Sequence, residues 1–252
     1  MESSQSLSKL TPDATIEQIV AANNKAGELL ASIGLPVSDH ENETLRSVCQ
    51  QQQWSETEVL NWVKKHSRNT NDETANNSTQ LSSPDSADLA EWTSYLHEHF
   101  ISVNQPLLEE LEASFPRVHK VHGNQYPWLK NMCWHFNKFS EALGMYYAFE
   151  IDKFFPLVEQ IDTSETKSLN HGVVQKVEKS FSIIERDQDR LKRQINIMRD
   201  KGKDFENPHN ACSTLRIQNE NLLTLCSQLE TQFELESDQL IPGIKKQLKE
   251  TR

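Results

Sequence analysis

Two glutamates sit where a helical protein ordinarily places leucine. The stretch Tyr146-Tyr147-Ala148-Phe149-Glu150-Ile151-Asp152-Lys153-Phe154-Phe155-Pro156 returns eighty-six residues later as Gln232-Phe233-Glu234-Leu235-Glu236-Ser237-Asp238-Gln239-Leu240-Ile241-Pro242. Both copies read Glu-x-Asp-x-apolar-apolar-Pro, with an aromatic or amide residue, Tyr146 or Gln232, four places before the Glu. Phe136, Phe139, Leu143 and Tyr146 precede Glu150, and Leu222, Leu225, Leu229 and Phe233 precede Glu236, at the spacing of one helix face. That spacing puts both carboxylates on core-facing stripes. A buried, unpaired carboxylate costs several kcal/mol, so the pair needs a metal ion, cationic partners, a shared proton or dense hydrogen bonding.

The other chemistry-bearing residues are dispersed. His97 and His99 are two apart and cannot share a helix face; they read as surface or rim histidines, although His97 lies one helical turn before Ile101. His119 and His122 fall near the end of a helix, where cationic imidazoles suit the helix dipole, and no carboxylate lies at helical spacing from either. Cys49, Cys133, Cys212 and Cys226 form no CxxC pair, which indicates neither a zinc site nor a disulfide framework. Cys133 and Cys226 lie on or near apolar stripes, and Cys212, at the opening of a helix, reads as a packing residue. The seven glycines make no GxGxxG or phosphate-binding loop.

The elements that must position the glutamates are all helices. From Asp88 to residue 250 the apolar period describes four long ones. The first carries Trp92, Leu96, Phe100 and Leu111 and reaches about Val121, with a kink expected at Pro106. The second covers about Pro127 to Leu157, and the third runs from Val173 to Gly202. The fourth starts near Ala211 and passes Pro242, where a second kink is expected. Four such helices with short connections make an antiparallel four-helix bundle, so the fold class is all-α. Residues 67–87 are polar and nearly free of large apolar groups, the composition of a flexible linker.

Residues 13–66 describe a small helical module. Thr15 caps a helix carrying Ile16, Ile19, Val20 and Leu29-Leu30 up to Gly34, Thr44-Leu45 opens a second, and Ser55 opens a third. A module this short buries little surface alone, so it is expected to dock, to form a homodimer or to be marginally stable by itself. The net charge of -11, with no Lys/Arg cluster along the chain, argues against nucleic acid or an anionic membrane as a partner. The polar N-terminus has no apolar signal core, and no run approaches the roughly twenty apolar residues of a spanning helix, so a cytoplasmic protein is expected.

These residues resemble a known family. The C-terminal part is similar to the haemerythrin-like domain of the repair-of-iron-centres proteins, the YtfE/ScdA group. The likeness rests on Val121-His122-Gly123, the two Glu repeats ending in Phe-Pro and Ile-Pro, Met198-Arg199, and Phe205, Pro208 and Ala211-Cys212-Ser213-Thr214-Leu215-Arg216. Residues 13–66 resemble the ScdA N-terminal module in Thr15-Ile16, Ile19-Val20, Gly34-Leu35 and Thr44-Leu45-Arg46-Ser47-Val48-Cys49. The resemblance implies a di-iron centre held between the four helices by histidines and two bridging glutamates. It also implies a role in restoring iron–sulfur clusters damaged by nitric oxide or peroxide.

On that resemblance the bridging glutamates correspond to Glu150 and Glu236, while the four ligand histidines correspond to Ile101, Tyr146, Gln188 and Gln232. In the N-terminal module the family's adjacent cysteines are replaced by Ser38 and Asp39, leaving Cys49. Two carboxylates without imidazoles do not complete the coordination of redox-active iron. Gln188 and Gln232 bring N–H donors and Tyr146 an O–H, which would satisfy facing carboxylates that share a proton. Four readings stay open: an emptied site with no cofactor and no catalysis, a residual oxygen-ligand site for another metal, a working metal centre using Glu150, Glu236 and displaced ligands such as His97, and a correspondence shifted by one helical turn. The first makes the chain a binding or regulatory relative of the repair family; a structural bundle that binds a protein partner is the other alternative.

Overall fold

The computed structural model describes residues 7–68, 84, 88–162 and 171–250. The protein is all-helical: among the described residues there is no strand beyond a single bridge between Thr15 and Thr44. Contacts divide the chain into two compact units, Met1–Gln80 with Glu206–Glu220, and Leu81–Phe205 with Asn221–Arg252. The expected linker at 67–87 lies almost entirely outside the described residues.

The first unit holds α1 (Ile16–Ala22), α2 (Lys25–Ser32), α3 (Leu45–Gln52) and α4 (Glu56–Arg68). Thr15 opens α1 with a reciprocal cap: its hydroxyl accepts from the Gln18 N–H at 3.2 Å, and the Gln18 side chain accepts from the Thr15 N–H at 3.0 Å. The helix expected to reach Gly34 unbroken is instead interrupted at Asn23, whose backbone is extended. Its buried amide accepts from the Lys25 N–H at 2.9 Å and donates to the Ser67 carbonyl at 3.3 Å. Asn competes with the helical ladder through such local bonds, and the long-range partner decides the outcome here.

The core of this unit gathers Ile16, Ile19, Leu30, Ile33, Leu45, Val48 and Val59 with Ile217 from the distant stretch. The Glu58 carboxylate accepts from the hydroxyls of Ser213 at 2.6 Å and Thr214 at 2.8 Å. Arg216 donates to the carbonyls of Ile33, Ala211 and His209, each at 3.1 Å, and its guanidinium lies 4.9 Å from the Trp54 ring centre. Gly34, at φ 89°, leaves room for that guanidinium, since a Cβ there would sit 2.8 Å from Arg216 Nη1.

The described part of the second unit is a bundle of four helical rods. The first joins α5 (Leu89–Leu96) to α6 (Ser102–His122), and the second joins α7 (Trp128–Phe149) to α8 (Phe155–Asp162). The third is α9 (His171–Lys201), and the fourth joins α10 (Ser213–Leu235), which begins in the stretch assigned to the first unit, to α11 (Ile241–Glu250). Side-chain pairs give the directions. Phe115 stacks on Phe136 and Asn104 bonds Tyr147, while Gln188 bonds Tyr146 and Gly202 lies beside Met132, so neighbouring rods run antiparallel. Their inward stripes form one core that includes Leu96, Leu111, Phe139, Leu143, Val177, Ile184, Leu225 and Leu229. No helix among the described residues is long and apolar enough to cross a membrane.

Between α5 and α6, α7 and α8, and α10 and α11 lies a π-helical turn: His97–Ile101, Glu150–Phe154 and Glu236–Leu240. The carbonyls of His97, Glu150 and Glu236 accept from the amides five residues on, Ser102, Phe155 and Ile241. Pro156 and Pro242 follow directly. At the exit from a wide turn the next amide faces two candidate carbonyls, and proline removes it from the choice. The expected disruption at Pro242 thus takes the form of a wide turn just before it, and α6 runs on through both Pro106 and Pro116.

Candidate functional site

The wide turns decide where the glutamates point. Buried positions on the fourth rod advance in steps of four, through Gln232, Glu236, Leu240, Ile244 and Leu248, and on the second through Tyr146, Glu150, Phe154 and Val158. In a regular helix each step of four slips about 40° around the axis, so such a series drifts off the core; one over-wide turn absorbs much of the slip. The turns begin at Glu150 and Glu236, and both residues are 0 % exposed.

Around them the bundle supplies a connected set of polar groups, which Ser237 Oγ extends by donating to Gln188 Oε1 at 3.4 Å. The Tyr146 hydroxyl donates to Glu236 Oε2. Gln188 Nε2 donates to the same oxygen at 2.6 Å and to the Tyr146 hydroxyl at 3.1 Å. Gln232 Nε2 bridges both carboxyls, at 2.7 Å to Glu236 Oε1 and 3.1 Å to Glu150 Oε2. Its Oε1 accepts from the Tyr147 hydroxyl at 3.4 Å, and Tyr147 in turn accepts from Asn104 Nδ2 at 2.9 Å. The amide orientation follows from chemistry: turning Gln232 over would set its oxygen against two carboxyls and its NH2 against the phenol.

The two glutamates are not equivalent. Glu236 accepts from Tyr146, Gln188 and Gln232, whereas Glu150 accepts from Gln232 alone, and its buried Oε1 has no donor among the described residues. Burial pushes the Glu150 carboxyl well above the usual carboxylate range, and the charge of Glu236 adds to the rise. Burial also raises Glu236, but hydrogen bonds from Tyr146 and Gln232 oppose it. Gln232 Nε2 bridges the two carboxyls inside one buried set, where the charge of one opposes ionisation of the other. Of the pair, Glu150 therefore holds a proton more readily, and the donors around Glu236 favour its ionised form. Burial pushes the Tyr146 phenol well above its ordinary range, so it keeps its proton and donates.

Of the positions singled out from sequence, Tyr146, Gln188 and Gln232 join the two carboxyls in one network. Ile101 is fully buried in the same core and offers no polar atom. His97 is exposed, lining a surface depression with Glu98, Ile151, Phe155 and Pro156, and takes no part in the network. His99 packs on Tyr95 with ring centres 4.5 Å apart, and His119 and His122 sit in the last turn of α6. Burial raises the Cys49 thiol to about 11 and the Cys226 thiol to about 12, which suits packing residues. Asn104 and Tyr147 also belong to the network, although nothing in their spacing had marked them as site residues. The available signal was Asn104 itself, a polar residue in step with Ile101, Leu107, Leu108 and Leu111.

The di-iron centre implied by the resemblance asks for nitrogen lone pairs aimed at metal. Gln188 and Gln232 aim N–H groups at the carboxyls, Tyr146 aims an O–H, and Ile101 aims nothing. Among the described residues no cluster of three or more His, Cys, Asp or Glu side chains is placed to hold a metal ion. The residues present do not fit an iron pair. Compared with known proteins, the chain matches no protein-family model and no curated protein.

Proposed function

We propose that the chain is a divergent relative of the repair-of-iron-centres proteins, a haemerythrin-like four-helix bundle behind a ScdA N-terminal-like module, acting as a binding or regulatory module. In this reading hydrogen bonds and one proton stand where the family holds iron. The observation that supports it is the chemistry facing Glu150 and Glu236: among the described residues, every side-chain donor turned toward them is an amide N–H or a phenol O–H. Such groups stabilise carboxylates by donating protons to them, and a metal would need the same oxygens' lone pairs.

Metal analysis of protein purified from iron-supplemented cells tests the reading. It expects no iron above the level of an unrelated control protein; a stoichiometric iron pair that is lost in both Glu150→Ala and Glu236→Ala would replace it with a working metal centre. Pairing of two chains through residues 13–66 belongs to the same proposal. Light scattering of the full chain is expected to give the mass of a dimer, and a monomer mass would remove that part.

A further inference from the structure

The exposed face shared by α7 and α9 carries a pattern independent of the buried carboxyls. Along α7 the residues Trp134, Lys138, Glu141 and Met145 follow one another at four, three and four places. Along α9 Arg186, Arg190, Arg193 and Ile197 repeat the same spacing. That spacing holds each quartet on one helix face. The two helices lie side by side and antiparallel, with Tyr146 against Gln188 toward one end and Met132 against Gly202 toward the other.

Four large hydrophobic side chains are exposed among the described residues, and three are on this face: Trp134 at 56 %, Met145 at 64 % and Ile197 at 39 %. A shallow groove of about 260 Å³ runs between the helices, lined by Ala142, Met145, Arg186, Asp187, Arg190 and Arg193. Arg186 is held by Asp187 at 2.9 and 3.1 Å, while Arg190 and Arg193 make no hydrogen bond or ion pair among the described residues. A chain with net charge -11 thus presents one strip where the guanidinium groups of Arg190 and Arg193 lie among exposed apolar side chains.

We infer that this face docks an amphipathic, acidic helix from a partner protein. Charge complementarity selects the occupant: unpaired arginines on an acidic molecule attract carboxylates and give them bidentate partners. Trp134 and Met145 are eleven residues apart, about 16 Å along the helix, which matches apolar residues three turns apart on a facing helix. Glu141 and Asp187 lie in the same strip. They oppose a uniformly anionic surface such as a bilayer or a phosphate backbone, whereas a helix places its carboxylates at chosen positions. The inference goes beyond the reading of the buried carboxyls and stands whether or not that reading holds.

The test titrates the full chain into a fluorescent synthetic helix carrying Leu at two positions three turns apart and Glu between them. Fluorescence anisotropy is followed at low and high salt. Wild type is expected to bind it, more weakly as salt rises, and to bind a scrambled peptide of equal charge at least about tenfold less. Arg190→Glu with Arg193→Glu is expected to cost about tenfold in affinity, and Met145→Ser several-fold, with the thermal midpoint unchanged. Equal binding of the scrambled peptide overturns the proposal, as does no binding by wild type or full binding by both variants. Tighter binding to phosphatidylserine vesicles or duplex DNA than to the peptide overturns it as well.

Discussion

At the scale of single residues the asymmetry between the glutamates makes a sharp prediction. Glu150→Gln replaces a neutral carboxyl with a neutral amide that donates to Glu236 through its NH2 and accepts from Gln232 through its oxygen. It is expected to change stability by less than about 1 kcal/mol. Glu236→Gln sets an NH2 against donors that need acceptors, and is expected to cost about 2–3 kcal/mol in denaturant unfolding. Equal costs would contradict the placement of the proton. The sign of the pH dependence follows. The folded pKa of Glu150 lies above its unfolded value, so the stabilisation is complete below the ordinary carboxylate pKa and is lost as pH rises toward the folded value. Wild type should therefore lose stability relative to Glu150→Gln on going from acid toward neutral pH, by up to about 1.4 kcal/mol per pH unit. A flat difference between the two titrations would count against it. The burial of both glutamates was legible in the apolar period around them, whereas Tyr147 and Asn104 were not, because a lone polar residue in an apolar stripe has no partner in one dimension.

Among the elements, the long helices were legible because their apolar stripes extend over many turns. The departures from them were not. The break at Asn23 depends on Ser67, forty-four residues away, and no local propensity announces a partner so distant. The two π-turns that begin at the glutamates left a faint trace, buried positions repeating every four residues through Glu150 and Glu236, which a period of 3.6 tolerates over one or two turns and so conceals. Pro242 was legible as a disturbance but not as a wide turn, and Pro156 was not marked as a disturbance at all. After α9 the chain turns through Lys203, Asp204 and Phe205, all with positive φ, at 54°, 53° and 62°. Left-handed backbone costs a side-chain-bearing residue roughly 1–2 kcal/mol, so Lys203→Gly is expected to raise stability by about 1 kcal/mol after its own entropic cost. A lower thermal midpoint for that variant would show the turn to be unstrained.

At the scale of the whole molecule the partition into two units could not be seen from composition, since Glu206–Glu220 joins the first unit across a long stretch of intervening sequence. Arg216 is what the sequence could not assign: its bond to the Ile33 carbonyl and its place over Trp54 tie that stretch to the rest of the first unit. Arg216→Ala is expected to cost about 2–3 kcal/mol and to speed amide hydrogen exchange in α2 and α3 more than in α7. Uniform exchange rates would argue against that anchoring role. The cationic strip on α9 was equally hidden, because Asp187 and Asp189 interleave with the arginines and the local charge along the chain stays near balance. Central to the account is that, of two buried carboxyls, Glu150 is the one that keeps its proton. Infrared spectroscopy of the full chain in deuterated buffer at neutral pD tests it most directly. The account predicts a buried carboxylic-acid C=O band that vanishes in Glu150→Gln and persists in Glu236→Gln; no such band in wild type, or one that survives in Glu150→Gln, would contradict it.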